Sequence, residues 1–181
     1  MTTVGRLEVI CGPMFAGKTT ELIRRLRLHA DSGEAVLAVK PARDTRYGAG
    51  ALRSHARDSF IALEMHGAGE LLTLAVQAGI IGIDEAHFFG ADLAGPVAAL
   101  VASGKRVIIS GIERDHRGRP FPPFPDLLCE ADEVLKLATV CARCGAPAIH
   151  SHRLFENDDP IAVGGPGEYE ARCRVCFRAG A

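Results

Sequence analysis

The sequence has no tryptophan, two tyrosines and an aromatic content of 6%. It also lacks an excess of either charge, because 21 lysine and arginine residues stand against 22 aspartate and glutamate residues. Proteins that bind nucleic acid use basic surfaces for the phosphates, and those that bind single strands add aromatic side chains on which bases stack. We therefore expect no nucleic-acid partner.

Long apolar runs are absent as well. No stretch approaches the roughly 20 apolar residues that cross a bilayer, and residues 1–6 lack the apolar core of a secretion signal. We expect no membrane association and a cytoplasmic location. The 181 residues, of which 48% are hydrophobic, are enough for one good core and a small appendage.

The stretch around which the chain is organised is VICGPMFAGKTT, residues 9–20. It contains the phosphate-loop pattern G-x-x-x-x-G-K-[ST], between an apolar run (7–11) and an amphipathic helix pattern (about 18–30). Loop amides of this kind converge on phosphate oxygens, the lysine bridges the β- and γ-phosphates, and the final hydroxyl ligates Mg²⁺. A glycine-rich turn without a ligand is the alternative, but the context favours a nucleoside triphosphate. The loop residues are Gly12, Pro13, Met14, Phe15, Ala16, Gly17, Lys18 and Thr19.

A second candidate segment is the apolar run 80–83, which ends in Asp84 and Glu85. An aspartate at the end of such a strand can hold Mg²⁺ opposite the loop threonine, and an adjacent carboxylate can accept a proton from a hydroxyl group. The alternative is an acidic pair that caps the next element. The letters DEAH at 84–87 also match a helicase box, but 181 residues are too few for two motor domains.

Apolar runs alternate with helical patterns over the first two thirds of the chain, which predicts a parallel sheet flanked by helices. We predict strands at 7–11, 35–39, 60–63, 80–83, 106–110 and 134–139. Helices are predicted at 18–30, 68–78, 92–103 (interrupted near Gly95 and Pro96) and 126–133. We expect an α/β nucleotide-binding domain over 1–138 and a small domain over 139–181, while the arginine-rich segment 41–59 is either a surface loop or one ordered by a ligand.

Four of the six cysteines form two C-x-x-C pairs, Cys141 with Cys144 and Cys173 with Cys176. Two such pairs complete a closed tetrahedral zinc site, which is structural rather than catalytic. Cys11 and Cys129 stand alone and are expected to be small buried residues. Between the pairs lies a glycine-rich segment, AVGGPGEY at 162–169, whose backbone can wrap around a small flat ligand.

In this order, the segments resemble the zinc-containing thymidine kinases of animal cytosol and many bacteria. The matching stretches are GPMFAGKTTELIRR (12–25), KPARDTRY (40–47), IGIDEAHFF (81–89), HRGRPF (116–121) and VGGPGEY (163–169). The resemblance implies a P-loop parallel sheet with a small C-terminal zinc and lasso domain. It further implies transfer of the γ-phosphoryl group of ATP to the 5′-hydroxyl of deoxythymidine to give dTMP, structural Zn²⁺, Mg²⁺ with ATP, a homotetramer, and inhibition by dTTP.

The resemblance also implies a role for individual residues. Glu85 corresponds to the proton acceptor, and Thr19 with Asp84 to the magnesium ligands. The implied ATP-binding residues are 12–19, Asp84, Glu85, Ala86 and His87. The implied thymidine-binding residues are Met14, Phe88, His116, Ala162, Val163, Gly164, Gly165 and Tyr169.

Three positions depart from the usual family pattern. His87 stands in place of glutamine, His116 in place of phenylalanine near the nucleoside, and Ser151 where some members carry threonine. These changes leave open a different pyrimidine nucleoside, such as deoxyuridine. A zinc-ribbon ATPase that binds nucleic acid, and a nucleotide-binding regulator without turnover, are the alternatives from other classes.

Overall fold

A computed structural model describes residues 4–44, 50–54, 58–156 and 164–179. The strands in chain order are β1 (Arg6–Cys11), β2 (Val36–Pro41), β3 (Ala51–Arg53), β4 (Ser59–Ile61), β5 (Leu63–Met65), β6 (Ile80–Ile83), β7 (Arg106–Gly111), β8 (Glu133–Lys136), β9 (Thr139–Val140), β10 (Pro147–Ala148), β11 (His150–Arg153) and β12 (Tyr169–Arg172). The α-helices are α1 (Lys18–Asp31), α2 (Leu71–Leu74), α3 (Ala94–Ala102), α4 (Phe124–Glu130) and α5 (Arg174–Arg178), with 3₁₀ turns at Ala68–Glu70 and Ala86–Leu93.

Six strands form one sheet in the order β5-β2-β6-β7-β1-β8, and every neighbouring pair is parallel. Its central strands are apolar on both faces because helices cover both. On one face, β1 and β7 pack with α3 and α4 around Phe124. On the other face, Ile10 and Ile108 pack against Leu22, Ile23 and Leu26 of α1. The predicted fold class is confirmed.

Close contact between α1 and the sheet depends on a glycine. A Cβ added at Gly82 in β6 would lie 2.6 Å from Cδ1 of Leu26, so a larger residue would displace the Leu26 side chain. Leu28 in the same helix is 56% exposed, so it lies on the solvent side of α1. Helix α1 begins at Lys18, inside the phosphate-loop pattern.

Several predicted elements differ from the structure. The single strand predicted at 60–63 is wrong: β4 pairs antiparallel with β3, whereas β5 joins the edge of the main sheet. The helix predicted at 68–78 is reduced to a 3₁₀ turn and α2, which ends at Leu74. A turn closed by the Ala78 N–H on the Ala75 oxygen follows, and Gly79 and Ile80 then donate to the Ala35 oxygen as the chain enters β6. The strand predicted at 134–139 divides into β8 and the start of β9.

The predicted interruption near Pro96 is also wrong, because α3 begins at Ala94. Proline in the first turn removes only an N–H group that has no partner inside the helix. The preceding residues, Ala86–Leu93, are in 3₁₀ conformation with a break at Gly90, whose φ is 66°.

The C-terminal part consists of small elements. β9 pairs with β10 and β11 with β12, both antiparallel, and α5 follows. Its apolar cluster contains Cys141, Ala148, Ala171 and Cys173, so this part has little core of its own. Within the described ranges, no helix is both long enough and apolar enough to cross a membrane.

Candidate active site

The phosphate loop joins β1 to α1 at the carboxyl end of the sheet. Gly12, Phe15 and Gly17 have φ angles of 146°, 64° and 84°, a region that favours glycine. A Cβ at Gly12 would also lie 2.6 Å from the Leu137 oxygen. Lys18 is buried, and its Nζ donates to the Pro13 oxygen at 2.7 Å. The lysine therefore folds back across a loop that leads into a helix amino terminus, which is the geometry of a phosphate site.

Asp84 follows β6 and is held by donors from three directions. Thr19 Oγ1 lies 3.0 Å from Asp84 Oδ2, the Ser110 hydroxyl donates to Asp84 Oδ1, and the Glu85 N–H donates to the same oxygen at 3.0 Å. Burial, followed by the charge of Glu85, raises the pKa of Asp84 to about 6, against the opposing effect of the two hydroxyls. A hydroxyl and a carboxylate at this distance form a hard oxygen donor set that suits Mg²⁺.

Ser110 is a site residue that the sequence did not reveal by motif. It has no exposed surface and occupies the end of β7, next to the end of β6. The sequence feature that could have indicated it is the polar residue at the end of the apolar run VIIS, 107–110. Asp84 follows the apolar run 80–83 in the same way.

Glu85 has a left-handed backbone, with φ 49° and ψ 43°. Such a conformation is unfavourable for a residue with a β-carbon and is concentrated at functional sites. The side chain is 13% exposed, and its Oε2 lies 3.6 Å from Nδ1 of His87. Both carboxylates open on one cleft, which is lined by Thr19, Lys40, Asp44, Ala51, Leu52, Arg53, Asp84 and Glu85.

Residues 86–88 form the beginning of the 3₁₀ turn. Ala86 is fully buried, and His87 packs against Phe88 and Phe121 with ring centroids 4.5 Å and 5.3 Å apart. The Ile112 N–H points to Nδ1 of His87 at 3.4 Å. Among these three residues Phe88 is the more exposed one, so it is the one that can offer a ring to a ligand.

The C-terminal part reaches the phosphate loop. The Met14 N–H donates to the Ser151 hydroxyl at 2.9 Å, and this bond is buried. Further along, Nε of Arg153 donates to the Tyr169 hydroxyl at 3.0 Å. A Cβ at Gly164 would lie 2.7 Å from the Tyr169 ring, so glycine lets the chain cross close to this tyrosine.

Two other predicted ligand-binding residues, Gly165 and His116, are among the described residues. The N–H of Gly165 donates to the Glu168 carboxylate at 2.9 Å. His116 is partly buried, and burial followed by the charge of Arg153 lowers its pKa. Ala162 and Val163 lie outside the described residues, as do residues 45–49 and 55–57 of the arginine-rich segment.

The four predicted zinc ligands come together. The Sγ atoms of Cys141, Cys144, Cys173 and Cys176 all lie within 4.8 Å of one another, and those of Cys144 and Cys173 are 3.6 Å apart. Tetrahedral zinc with Zn–S bonds of about 2.3 Å needs sulfur atoms roughly 3.8 Å apart, so this cluster fits zinc. A backbone hydrogen bond from Cys173 is the first cause that lowers the pKa of Cys141 to about 6. The pKa of Cys176 is instead raised to about 12, first by its hydrogen bond with Cys144, so the four thiols share their protons unequally.

The two remaining cysteines differ from each other. Cys11 is buried, as predicted, and burial raises the pKa of its thiol to about 11. Cys129 is exposed, so the prediction of a buried residue is wrong. Its apolar neighbour Leu127 occupies the buried face of α4 instead.

Comparisons with known proteins agree with one another. The family model described as "Thymidine kinase" matches residues 5–177. A thymidine kinase from Rhodothermus sp. is 43% identical over 176 residues, which are 97% of this chain and 83% of the relative. Thymidine kinases from Halobacterium salinarum and Coprothermobacter proteolyticus are 44% and 45% identical, with 97% of this chain matched to 95% and 91% of theirs.

Proposed function

The chain belongs to the thymidine kinase family and phosphorylates thymidine to dTMP. We propose that ATP is the phosphoryl donor and that Asp84 and Glu85 have separate roles in the transfer. The observation that carries this proposal is the Asp84–Glu85 pair at the end of β6, facing the phosphate loop. Thr19 Oγ1, at the start of α1, lies 3.0 Å from Asp84 Oδ2.

Asp84 serves the metal in this proposal. Its oxygens accept hydrogen bonds from Thr19, Ser110 and the Glu85 N–H, so the carboxylate is fixed in one orientation. Mg²⁺, when bound with ATP by Thr19 and Asp84, supplies neutralisation of charge on the β- and γ-phosphates. The Lys18 ammonium group and the N–H groups of residues 12–19 bind the phosphates, except at Pro13, which has no N–H, and at Met14, whose N–H donates to Ser151.

Glu85 serves the acceptor hydroxyl. It orients the 5′-hydroxyl of deoxythymidine and accepts its proton late, because the transition state of phosphoryl transfer is largely dissociative and an alcohol is a weak acid. The left-handed backbone at Glu85 turns the chain directly after Asp84, so the two adjacent carboxylates take different positions on the same cleft.

The nucleoside is proposed to bind between the phosphate loop and the C-terminal part. Met14 and Tyr169 line the base pocket with Phe88 and His116, and residues 162–165 enclose the base through backbone hydrogen bonds. The support is the buried Met14–Ser151 hydrogen bond, which brings β11 to the loop. Deoxyuridine is the second candidate acceptor, because His116 offers a polar ring where the family commonly has phenylalanine.

The wider features of the family are proposed as well. We propose a nucleotide-binding domain over residues 1–138 and a zinc and lasso domain over 139–181, with Zn²⁺ on the four clustered cysteines in a structural role. A homotetramer, feedback inhibition by dTTP and a cytoplasmic location complete the proposal. Paired C-x-x-C motifs that hold zinc suit a reducing compartment.

The role of Glu85 is tested by Glu85→Gln. We expect turnover to fall by roughly 10²–10⁴-fold, because the amide cannot accept the proton, while calorimetry finds nearly unchanged ATP binding. Glu130→Gln, a substitution of an exposed residue on α4, is the matched control and should behave as wild type. Wild-type turnover in Glu85→Gln would remove Glu85 from the mechanism.

The acceptor is tested by ATP consumption with one added compound at a time. We expect thymidine to stimulate ATP consumption by the wild-type enzyme. The ratio of the rates with thymidine and with deoxyuridine measures the contribution of the base methyl group. Stimulation by single-stranded DNA in place of a nucleoside would favour the nucleic-acid-binding ATPase.

A further inference from the structure

Ser110 and Asp84 are placed side by side by the register of the parallel sheet. Ile83 of β6 pairs with Ile109 of β7, so the residues that follow are neighbours at the carboxyl edge. Ile108, two positions before Ser110, packs with the α1 side of the sheet. Because side chains alternate along a strand, Ser110 also faces α1, where Thr19 approaches Asp84.

The two oxygens of Asp84 are used differently. Oδ1 accepts the Ser110 hydroxyl and the Glu85 N–H, whereas Thr19 Oγ1 lies nearer to Oδ2, at 3.0 Å compared with 3.3 Å. Both donors on Oδ1 come from the sheet edge itself. They fix the rotation of the carboxylate and leave Oδ2 on the Thr19 side.

We propose that Ser110 is a positioning residue for the kinase reaction, whose hydroxyl holds Asp84 in the orientation that presents Oδ2 toward the metal and nucleotide. This inference rests on the proposed role of Asp84 as a magnesium ligand. Ser110 lies in an interior where the neighbouring positions of β7 are apolar, and a buried hydroxyl is unfavourable unless it is hydrogen-bonded. Within the described residues, the Asp84 carboxylate is the acceptor recorded for this hydroxyl.

The test is Ser110→Ala, which removes one oxygen and adds no volume. Hydrogen-bond partners of metal ligands typically contribute 10–100-fold to metal affinity or activity. Binding of a non-hydrolysable ATP analogue is measured by calorimetry with Mg²⁺ and with EDTA. We expect the increase in affinity caused by Mg²⁺ to shrink by about tenfold while the affinity in EDTA is unchanged. Turnover should fall by a similar factor, with the thymidine KM within about twofold.

Two further variants make the result specific. Ser103→Ala removes a hydroxyl that donates to the Leu100 oxygen at the end of α3, away from the sheet edge, and should match wild type in every measurement. Ser110→Thr keeps the hydroxyl and should retain more of the Mg²⁺ effect than Ser110→Ala.

The inference is overturned if Ser110→Ala keeps the full Mg²⁺ effect, or if it loses affinity equally with and without Mg²⁺, which would indicate damaged packing. Asp84→Asn, measured in parallel, separates this inference from the proposed function. If Asp84→Asn loses the Mg²⁺ effect while Ser110→Ala keeps it, the proposed role of Ser110 is overturned and that of Asp84 stands. A normal Mg²⁺ effect in Asp84→Asn would overturn the role of Asp84 and, with it, that of Ser110.

Discussion

At the scale of single residues, the site holds a buried negative charge at a cost in stability. Asp84 is almost fully buried, and the Glu85 carboxylate is its immediate neighbour. Hydroxyl and N–H donors offset part of the cost, yet the pKa of Asp84 remains raised to about 6. The Mg²⁺ proposed for this site would offset the desolvation of Asp84 when it binds.

This cost gives a pH dependence with a definite sign. The pKa of Asp84 is higher in the folded protein than the value of about 3.9 for an unfolded chain. The contribution of the Asp84 carboxyl group to the free energy of unfolding is therefore most favourable below a pH of about 4. It is lost as the pH rises through about 6, where the buried group ionises. We therefore compare the free energy of unfolding of Asp84→Asn with that of wild type, both in EDTA. The difference should shift in favour of Asp84→Asn by about 1–3 kcal/mol when the pH is raised from 4.5 to 8.

Denaturant unfolding at the two pH values measures the change, with Asp92→Asn as the control because Asp92 is exposed. An Asp84→Asn difference that stays constant from pH 4.5 to pH 8 would contradict a raised pKa at this position.

At the scale of elements, the phosphate loop is held through helix α1, which follows it, and through strand β11. Helix α1 is fixed to the sheet by its close packing on Gly82 and by the buried Glu8, whose carboxylate lies 2.5 Å from a guanidinium nitrogen of Arg25. Strand β11 is attached through the Ser151 hydroxyl, which accepts the Met14 N–H. The second attachment links the proposed nucleoside-binding part to the ATP-binding loop.

Ser151→Ala should weaken this link. The Met14 N–H would lose its acceptor in a buried position, and an unmade buried hydrogen bond costs about 1–3 kcal/mol. We expect the thymidine KM to rise by roughly three- to tenfold, with a smaller rise in the ATP KM. Steady-state kinetics with each substrate varied in turn measures both values.

Ser151→Thr keeps the hydroxyl and is the matched control. A Ser151→Ala enzyme with the wild-type thymidine KM would show that the hydrogen bond does not support nucleoside binding.

At the scale of the whole molecule, a large sheet with its own core stands beside a C-terminal part that has almost none. Cysteines are half of the small cluster in that part, namely Cys141, Cys173 and the partly buried Cys176, so the proposed zinc would take the place of apolar burial there. Both ends of the segment between the two C-x-x-C pairs meet at this cluster. Zinc is therefore expected to determine whether the lasso holds its shape.

Cys144→Ser should lower the zinc content and raise the thymidine KM while ATP-analogue binding to the phosphate loop is retained. Elemental analysis measures the metal, and kinetics with calorimetry measures the two substrates. Cys129→Ser is the matched control, since Cys129 is exposed and lies outside the cluster. Unchanged zinc and an unchanged thymidine KM in Cys144→Ser would show that the four thiols do not form one site.

Much of the molecule follows from local sequence. Three features can be predicted from the sequence because their residues are close together in the chain or have a fixed spacing. They are the phosphate loop, the aspartate at the end of β6 and the two C-x-x-C pairs. The central strands are readable because strands buried on both faces are continuous apolar runs. The fold class and the family follow from these features.

The remaining features of the site depend on contacts between segments that are distant in the sequence, so only the tertiary structure determines them. Ser110 becomes a partner of Asp84 through sheet register, Ser151 becomes a partner of Met14 through the docking of β11, and Glu85 takes a left-handed backbone at the end of β6. The exposure of Cys129 depends on which face of α4 turns inward. No local pattern encodes these contacts, because hydrogen bonds between strand ends depend on three-dimensional placement and not on propensity or spacing.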